Sequence, residues 1–179
     1  MSAALHLIEV NALSREDFIA YFGDIAEHSA WVAEKAERMR PFEDHASLVR
    51  GFQRAVLEAD TDAHTKLILA HPDLAGKAAI AGEVAEDSKR EQKGAGLDQL
   101  TAQEFELFQT LNTAYRTRFG FPFIFAVTGA TKYQILDAFM NRVDGTVAEE
   151  RLTAIAQILR IIRFRLEARV ENSARHLAS

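Results

Sequence analysis

Apolar residues return along this chain every three or four positions, the spacing that gathers them on one face of a helix. Phe18, Ile19, Phe22 and Ile25 follow a start at Ser14, where Asp17 three residues on completes a capping-box-like pair. The same spacing predicts a second helix from about Ser29 to Arg40 and a third marked by Leu48, Val49, Phe52 and Val56. Another is expected to end near Ala70. Thr101 with Glu104 opens a strongly amphipathic helix carrying Phe105, Phe108, Leu111, Tyr115 and Phe119. Gly120 closes it as a left-handed cap, with Pro122 just beyond. Thr131 to Met140 reads as a shorter helix, and Thr146 with Glu149 begins the longest, which runs to about Arg169. The 3 prolines, Pro41, Pro72 and Pro122, each stand where a helix has to stop.

One segment breaks the pattern. Phe121 to Val127 has the composition of a strand, but a lone strand among helices has no ladder partner for its peptide groups. An extended, buried connector is the expectation. No internal repeat, linker or low-complexity tract is present. The fold class expected is all-α: one helical-bundle domain over residues 1–179 with one extended buried connector.

Composition narrows the function. The chain has 179 residues, 48% of them apolar, enough for one well-buried core. A formal charge of -5 offers nothing to neutralise a run of phosphates, so nucleic acid is not an expected partner. The absence of cysteine excludes disulfides, thiolate nucleophiles and thiolate metal sites. No apolar run approaches the roughly 18–20 residues of a membrane span. No basic start followed by an apolar stretch marks a secretory signal, and the closing Leu177-Ala178-Ser179 is no peroxisomal address. A cytoplasmic protein with no membrane partner is expected.

Candidate chemistry is sparse. The 6 histidines form neither an HExxH nor an i,i+4 pair, so no metal site is expected. Gly94-Ala-Gly96 and Gly76-Lys77 lack the strand–loop–helix frame of a phosphate cradle, and there is no Gly-x-Ser-x-Gly elbow. Three features remain. His71-Pro72-Asp73-Leu74 stands at a helix break, where His71 either caps the last carbonyls of its helix or projects into a cleft. Ser88 and Glu91 either form a capping box or, with Gln92, place a hydroxyl, a carboxylate and a carboxamide on one helical face. On the last helix the stripe through Ile155, Ile158 and Ile162 continues at Arg165, whereas Arg160 and Arg163 lie on the opposite side. Arg165 is either a snorkelling residue near a helix end or an anion-binding fork.

The chain resembles the OHCU decarboxylases, enzymes acting on 2-oxo-4-hydroxy-4-carboxy-5-ureidoimidazoline. The resemblance is carried by Glu27-His28-Ser29 before Trp31-Val-Ala-Glu34, by Arg40-Pro-Phe42 and by His71-Pro-Asp-Leu74. It continues through Ser88 to Leu97, Leu111-Asn112-x-Ala-Tyr115, Phe119-Gly-Phe-Pro-Phe-Ile124 and Arg165-Leu166, covering almost the whole chain in order. It implies an all-helical homodimer without metal or organic cofactor, making (S)-allantoin from a small ureidoimidazoline in urate catabolism. By the same resemblance His71 and Glu91 are the catalytic pair. Pro72, Ser88, Gln92 and Arg165 then line the substrate pocket, with main-chain groups of Phe123, Ile124, Phe125 and Ala126.

Overall fold

Side-chain caps set most of the helix starts. Ser14 Oγ accepts the Asp17 N–H at 3.0 Å, Asp44 Oδ1 the Ser47 N–H at 2.6 Å, and Thr101 Oγ1 the Glu104 N–H at 3.2 Å. Thr131 and Thr146 do the same for the N–H groups of Gln134 and Glu149, each at 3.3 Å. The computed structural model describes residues 4–76 and 84–171; Lys77 of the Gly76-Lys77 pair and the closing Leu177-Ala178-Ser179 lie outside the described residues. The described helices are α1 (Leu7–Ala12), α2 (Arg15–Phe22), α3 (Trp31–Glu37), α4 (His45–Leu57) and α5 (Thr61–Leu69). They continue with α6 (Glu86–Gly94), α7 (Ala102–Phe119), α8 (Lys132–Arg142) and α9 (Val147–Arg169). Among the described residues there is no strand, only an isolated bridge between Leu5 and Val170. No described helix is long and apolar enough to cross a membrane.

Several boundaries differ from the sequence expectation. The Ser29–Arg40 helix is shorter, because both of its ends tighten into i→i+3 bonds: Val32 N–H to Ser29 O at 3.0 Å and Met39 N–H to Ala36 O at 3.0 Å. Ile25 is buried as expected, but in the turn after α2 rather than on it. The short α1 has one buried residue, Val10, too little to leave a periodic signal.

Two compact units divide the chain. The first comprises Met1–Leu67 and Leu159–Ser179. Its core is aromatic: Phe18 lies 4.8 Å from Phe22 and 6.0 Å from Phe52, ring centre to ring centre. Gly51 lets α4 meet Phe42 closely, since a Cβ there would come within 2.7 Å of the Phe42 ring. The Arg40 guanidinium covers the Phe18 face at 4.9 Å and donates to the Leu13 carbonyl at 2.6 Å, closing the end of α1.

The second unit is Ile68–Ile158. Gly120 ends α7 in the left-handed conformation, φ 79°, as its position after the apolar stripe predicts. The chain then runs irregularly from Phe121 through Val127, buried except at Phe125, which is partly exposed. Phe123 stacks on Phe139 of α8 at 3.8 Å and meets Tyr115 of α7 edge-on at 5.3 Å. The connector is therefore a core element without a sheet, as expected.

Candidate active site

α5 stops because Pro72 has no N–H to continue it; the last main-chain bond before it runs from the His71 N–H to Ile68 O at 3.2 Å. The His71 side chain turns inward, and the residue is 5% exposed. The loop that carries it is fastened by four polar side chains. Asn112 donates to Leu74 O at 2.9 Å and Gln109 to Ala75 O at 2.8 Å, both from α7. Gln92 Oε1 on α6 accepts the Ala75 N–H at 2.9 Å, and Arg116 Nε binds the Asp73 carboxylate at 2.8 and 3.0 Å. Ala75 has φ 51°, a left-handed conformation that costs an alanine about 1–2 kcal/mol. Holding its N–H on the buried Gln92 and its carbonyl on Gln109 offsets that cost and gives His71 a fixed base.

α6 decides between the two readings of Ser88. Its N-cap is Ala85, which has no side chain to offer, and Ser88 is the third helical residue. Ser88 and Glu91 are therefore not the capping box that their spacing suggested. Ser88 and Gln92 are instead buried four residues apart on one face of α6, with Glu91 beside them and partly exposed. Of the polar-face reading, the helix shows Ser88 and Gln92 together on its buried face. Through Gln92 this face is tied directly to the loop of His71 and Pro72.

A second group was not visible in the sequence. Arg142, in the last turn of α8, binds Glu150 of α9 through Nε at 3.0 Å and Nη2 at 2.8 Å. The Tyr115 hydroxyl donates to the same carboxylate, and all three side chains are largely buried. Burial pushes the Tyr115 phenol well above its ordinary range, and the neighbouring Glu150 adds to the shift. Arg142 Nη1 reaches on to the Ile124 carbonyl at 2.8 Å, and its guanidinium lies 4.4 Å from the Phe123 ring centre. Gln157 Oε1 accepts the Ala126 N–H at 2.9 Å. The Phe123–Ala126 segment is thus gripped by side chains of α8 and α9. α7 serves both groups, since Gln109, Asn112 and Arg116 hold the His71 loop while Tyr115 packs on the connector.

Arg165 belongs to the first unit. Ile158 and Ile162 are fully buried, so the stripe is a core face, but Arg165 at 3% exposure does not snorkel. Its Nη2 pairs with Glu27 Oε1 at 2.9 Å and its Nη1 donates to Ile25 O at 3.4 Å. Glu27, 1% exposed, is the partner that sequence reasoning did not supply. A buried carboxylate opposite a planar guanidinium satisfies the rule that buried charges come paired.

Among the described residues, no group of three or more histidine, cysteine, aspartate or glutamate side chains is placed to hold a metal ion. The second unit holds one imidazole on a fastened loop, a hydroxyl, a carboxamide and a carboxylate on α6, and a connector in which the Ile124 carbonyl and the Ala126 N–H are each held by a side chain. That set can bind a small polar ring and move protons.

Residues 11–167 match the family described as OHCU decarboxylase, a stretch that runs through both units. The chain is 40% identical over 165 residues to the 2-oxo-4-hydroxy-4-carboxy-5-ureidoimidazoline decarboxylase of Haloferax volcanii, covering 92% of this chain and 96% of that one. It is 40% identical over 158 residues to the uric acid degradation bifunctional protein PucL of Bacillus subtilis, covering 88% of this chain and 31% of that one. The crystal structure of an (S)-allantoin synthase superposes with a TM-score of 0.75 at 30% identity, over 93% of this chain and 54% of that one. With matches of this identity and extent, the chain belongs to the OHCU decarboxylase family.

Proposed function

We propose that this chain removes carbon dioxide from OHCU to give (S)-allantoin, as a step of urate breakdown. The observation that carries the reading is the buried His71 on its fastened loop, beside the polar face of α6, in a chain matched to the family over residues 11–167. The names of the relatives, a decarboxylase of OHCU, a protein of uric acid degradation and an (S)-allantoin synthase, point to the same step. Residues 1–179 are read as one functional domain, acting as a homodimer in the cytoplasm.

The reaction can be written from the substrate. The bond from ring carbon 4 to the carboxylate breaks, and its electron pair forms a double bond to carbon 5 while the ring imine nitrogen takes up charge. The 4-hydroxyl then gives up its proton to become a carbonyl, carbon 5 receives a proton on one face, and the nitrogen is protonated. One proton is consumed for each carbon dioxide released. The ring itself accepts the electrons, so the reading requires neither a metal nor an organic cofactor.

The protein's tasks are to orient the ring, stabilise the developing charge and deliver the proton to one face. Imidazole both holds and releases a proton near neutral pH, and His71 is assigned the proton transfer. Glu91 is its catalytic partner and, with Gln92, holds ureide and ring nitrogens. The Gln92 oxygen already serves the Ala75 N–H, so its contribution to the ligand is the NH₂ donor. Ser88, Pro72 and the Phe123–Ala126 main chain complete the lining. Arg165 is carried over from the family resemblance as a substrate-binding residue; within the first unit its fork meets the Glu27 carboxylate.

The experiment uses freshly oxidised urate as the source of OHCU and follows carbon dioxide release and the handedness of allantoin. Wild type should yield an excess of (S)-allantoin. His71→Asn keeps a hydrogen-bonding side chain but cannot titrate, and should lower the enzymatic rate by about 10²–10⁴-fold. The spontaneous reaction, which gives racemic product, then remains. Near-wild-type formation of (S)-allantoin by His71→Asn would overturn the assignment, and racemic product from wild type would overturn the function.

A further inference from the structure

The two grips on the connector act on neighbouring peptide bonds. Arg142 Nη1 draws the Ile124 carbonyl at 2.8 Å, and Gln157 Oε1 holds the Ala126 N–H at 2.9 Å. Both bonds are trans, and a trans peptide is planar with its C=O and N–H directed oppositely. Turning the Ile124 carbonyl toward Arg142 therefore turns the Phe125 N–H away from it. Holding the Ala126 N–H on Gln157 turns the Phe125 C=O away from Gln157. Phe123 and Phe125, two residues apart, have rings stacked at 11° and 6.2 Å, as side chains on one face of an extended run do. In such a run the N–H and C=O of one residue emerge on the same side. Neither Phe125 group bonds to another described residue, and Phe125 is partly exposed.

We propose that Arg142 and Gln157 are positioning residues: by gripping Ile124 O and Ala126 N–H they turn the N–H and C=O of Phe125 together toward the bound substrate. A donor and an acceptor side by side complement the adjacent C=O and N–H of a ureide or of a cyclic amide edge. The inference rests on the reading that the connector contacts substrate. Arg142 is itself immobilised, because Glu150 holds two of its nitrogens and Tyr115 holds Glu150. Its positive charge on the Ile124 carbonyl also polarises that peptide and makes the Phe125 N–H the stronger donor. Neither residue touches the substrate; both act through the main chain of Phe125.

Gln157 provides the gentler test, since it lies at the edge of the network and carries no charge. Protein labelled with ¹⁵N only at phenylalanine gives a spectrum of 12 amides, and Phe125→Leu identifies the one of interest. Titration of the wild type with (S)-allantoin should move the Phe125 amide to lower field. Gln157→Met removes the acceptor at similar volume. It should keep the melting temperature close to wild type, shrink that movement, and raise both the allantoin Kd and the KM by about 3–10-fold. The kcat should change by less than about twofold, the mark of lost binding common to ground and transition states. Gln157→Glu retains an acceptor and should restore most of the affinity, which a merely volume-filling role would not predict. Arg142→Lys, which keeps the charge but not the fork, should shift Kd and KM in the same direction and stands in if Gln157→Met does not fold. A folded Gln157→Met with wild-type Kd and KM would overturn the proposal while leaving the decarboxylase reading intact. So would a Phe125 amide unmoved by bound allantoin. Failure of wild type to bind allantoin and to decarboxylate OHCU would overturn both.

Discussion

Glu91→Gln separates the stability of α6 from its chemistry, because the structure gives the two effects opposite signs. Glu91 is the sixth residue of a helix that runs from Glu86 to Gly94, and its carbonyl already accepts the Ala95 N–H at 3.2 Å, so it lies in the C-terminal half. A carboxylate there opposes the helix dipole, and neutralising it contributes between zero and about 1 kcal/mol of stability. A domain of this size gains about 2–4 °C in Tm per kcal/mol, so the variant should melt at the wild-type temperature or up to about 4 °C above it. Had Glu91 been half of a capping box, losing its charge would have lowered Tm, since a cap is worth about 1 kcal/mol. Turnover should fall by about 10²–10⁴-fold, with allantoin handedness separating the residue from the spontaneous reaction. Calorimetry and chiral analysis of the product measure the two quantities on one preparation. An enzyme of wild-type speed would remove Glu91 from the mechanism, and a Tm several degrees lower would show that the helix depends on its charge.

Arg165→Lys loses the fork that meets Glu27 and Ile25 in the core, and should lower both Tm and activity; Arg163→Lys, on an exposed pair with Glu167, should do neither, and equal effects would deny Arg165 a special place. Hydrogen bonds hold three carboxyls below their ordinary values: Lys132 chiefly for Glu104, Thr146 for Glu149 and the Ser47 N–H for Asp44. A depressed carboxyl stabilises the fold above its ordinary value and loses that contribution as pH falls through its folded value. Tm should therefore drop on acidification below the ordinary 4.5 of a glutamate, and the double change Glu104→Gln and Glu149→Gln should flatten that drop. A profile of unchanged steepness would contradict it.

Helix starts were legible where a capping pair stands out in the sequence, because that signal is local: Ser14, Thr101 and Thr146 each accept the N–H three residues on, whereas Asp44, which caps α4 through Ser47, gave no such reading. At Ser88 the rule left two readings open, since α6 is capped three residues earlier by an alanine that leaves no chemical trace. Arg165 stood out as an anomaly on a core stripe, but its partner Glu27 lies 138 residues away and no periodicity links them. Tyr115 was legible as an apolar-face residue only. Its hydroxyl matters because Glu150, 35 residues on, meets it in the core. Nothing in the sequence sets Glu150 apart from Glu149 beside it, yet Glu150 is 4% exposed and Glu149 lies open to solvent. Motif resemblance gave the site residues their order along the chain; which peptide groups of the connector are held required coordinates.

The connector also bears on how the chain avoids its neighbours. Phe121 to Val127 is seven residues of aromatic and aliphatic character without a charge, the composition from which cross-β stacks are made when such a stretch is left open. Pro122 removes one donor from it, and Arg142 and Gln157 occupy an acceptor and a donor that a strand from another molecule would otherwise need. The side chains that satisfy this segment are presented by helices, and they exist in place only once α8 and α9 have formed. During synthesis the segment emerges before either helix, so the interval between them is when the chain is most prone to associate with its own copies.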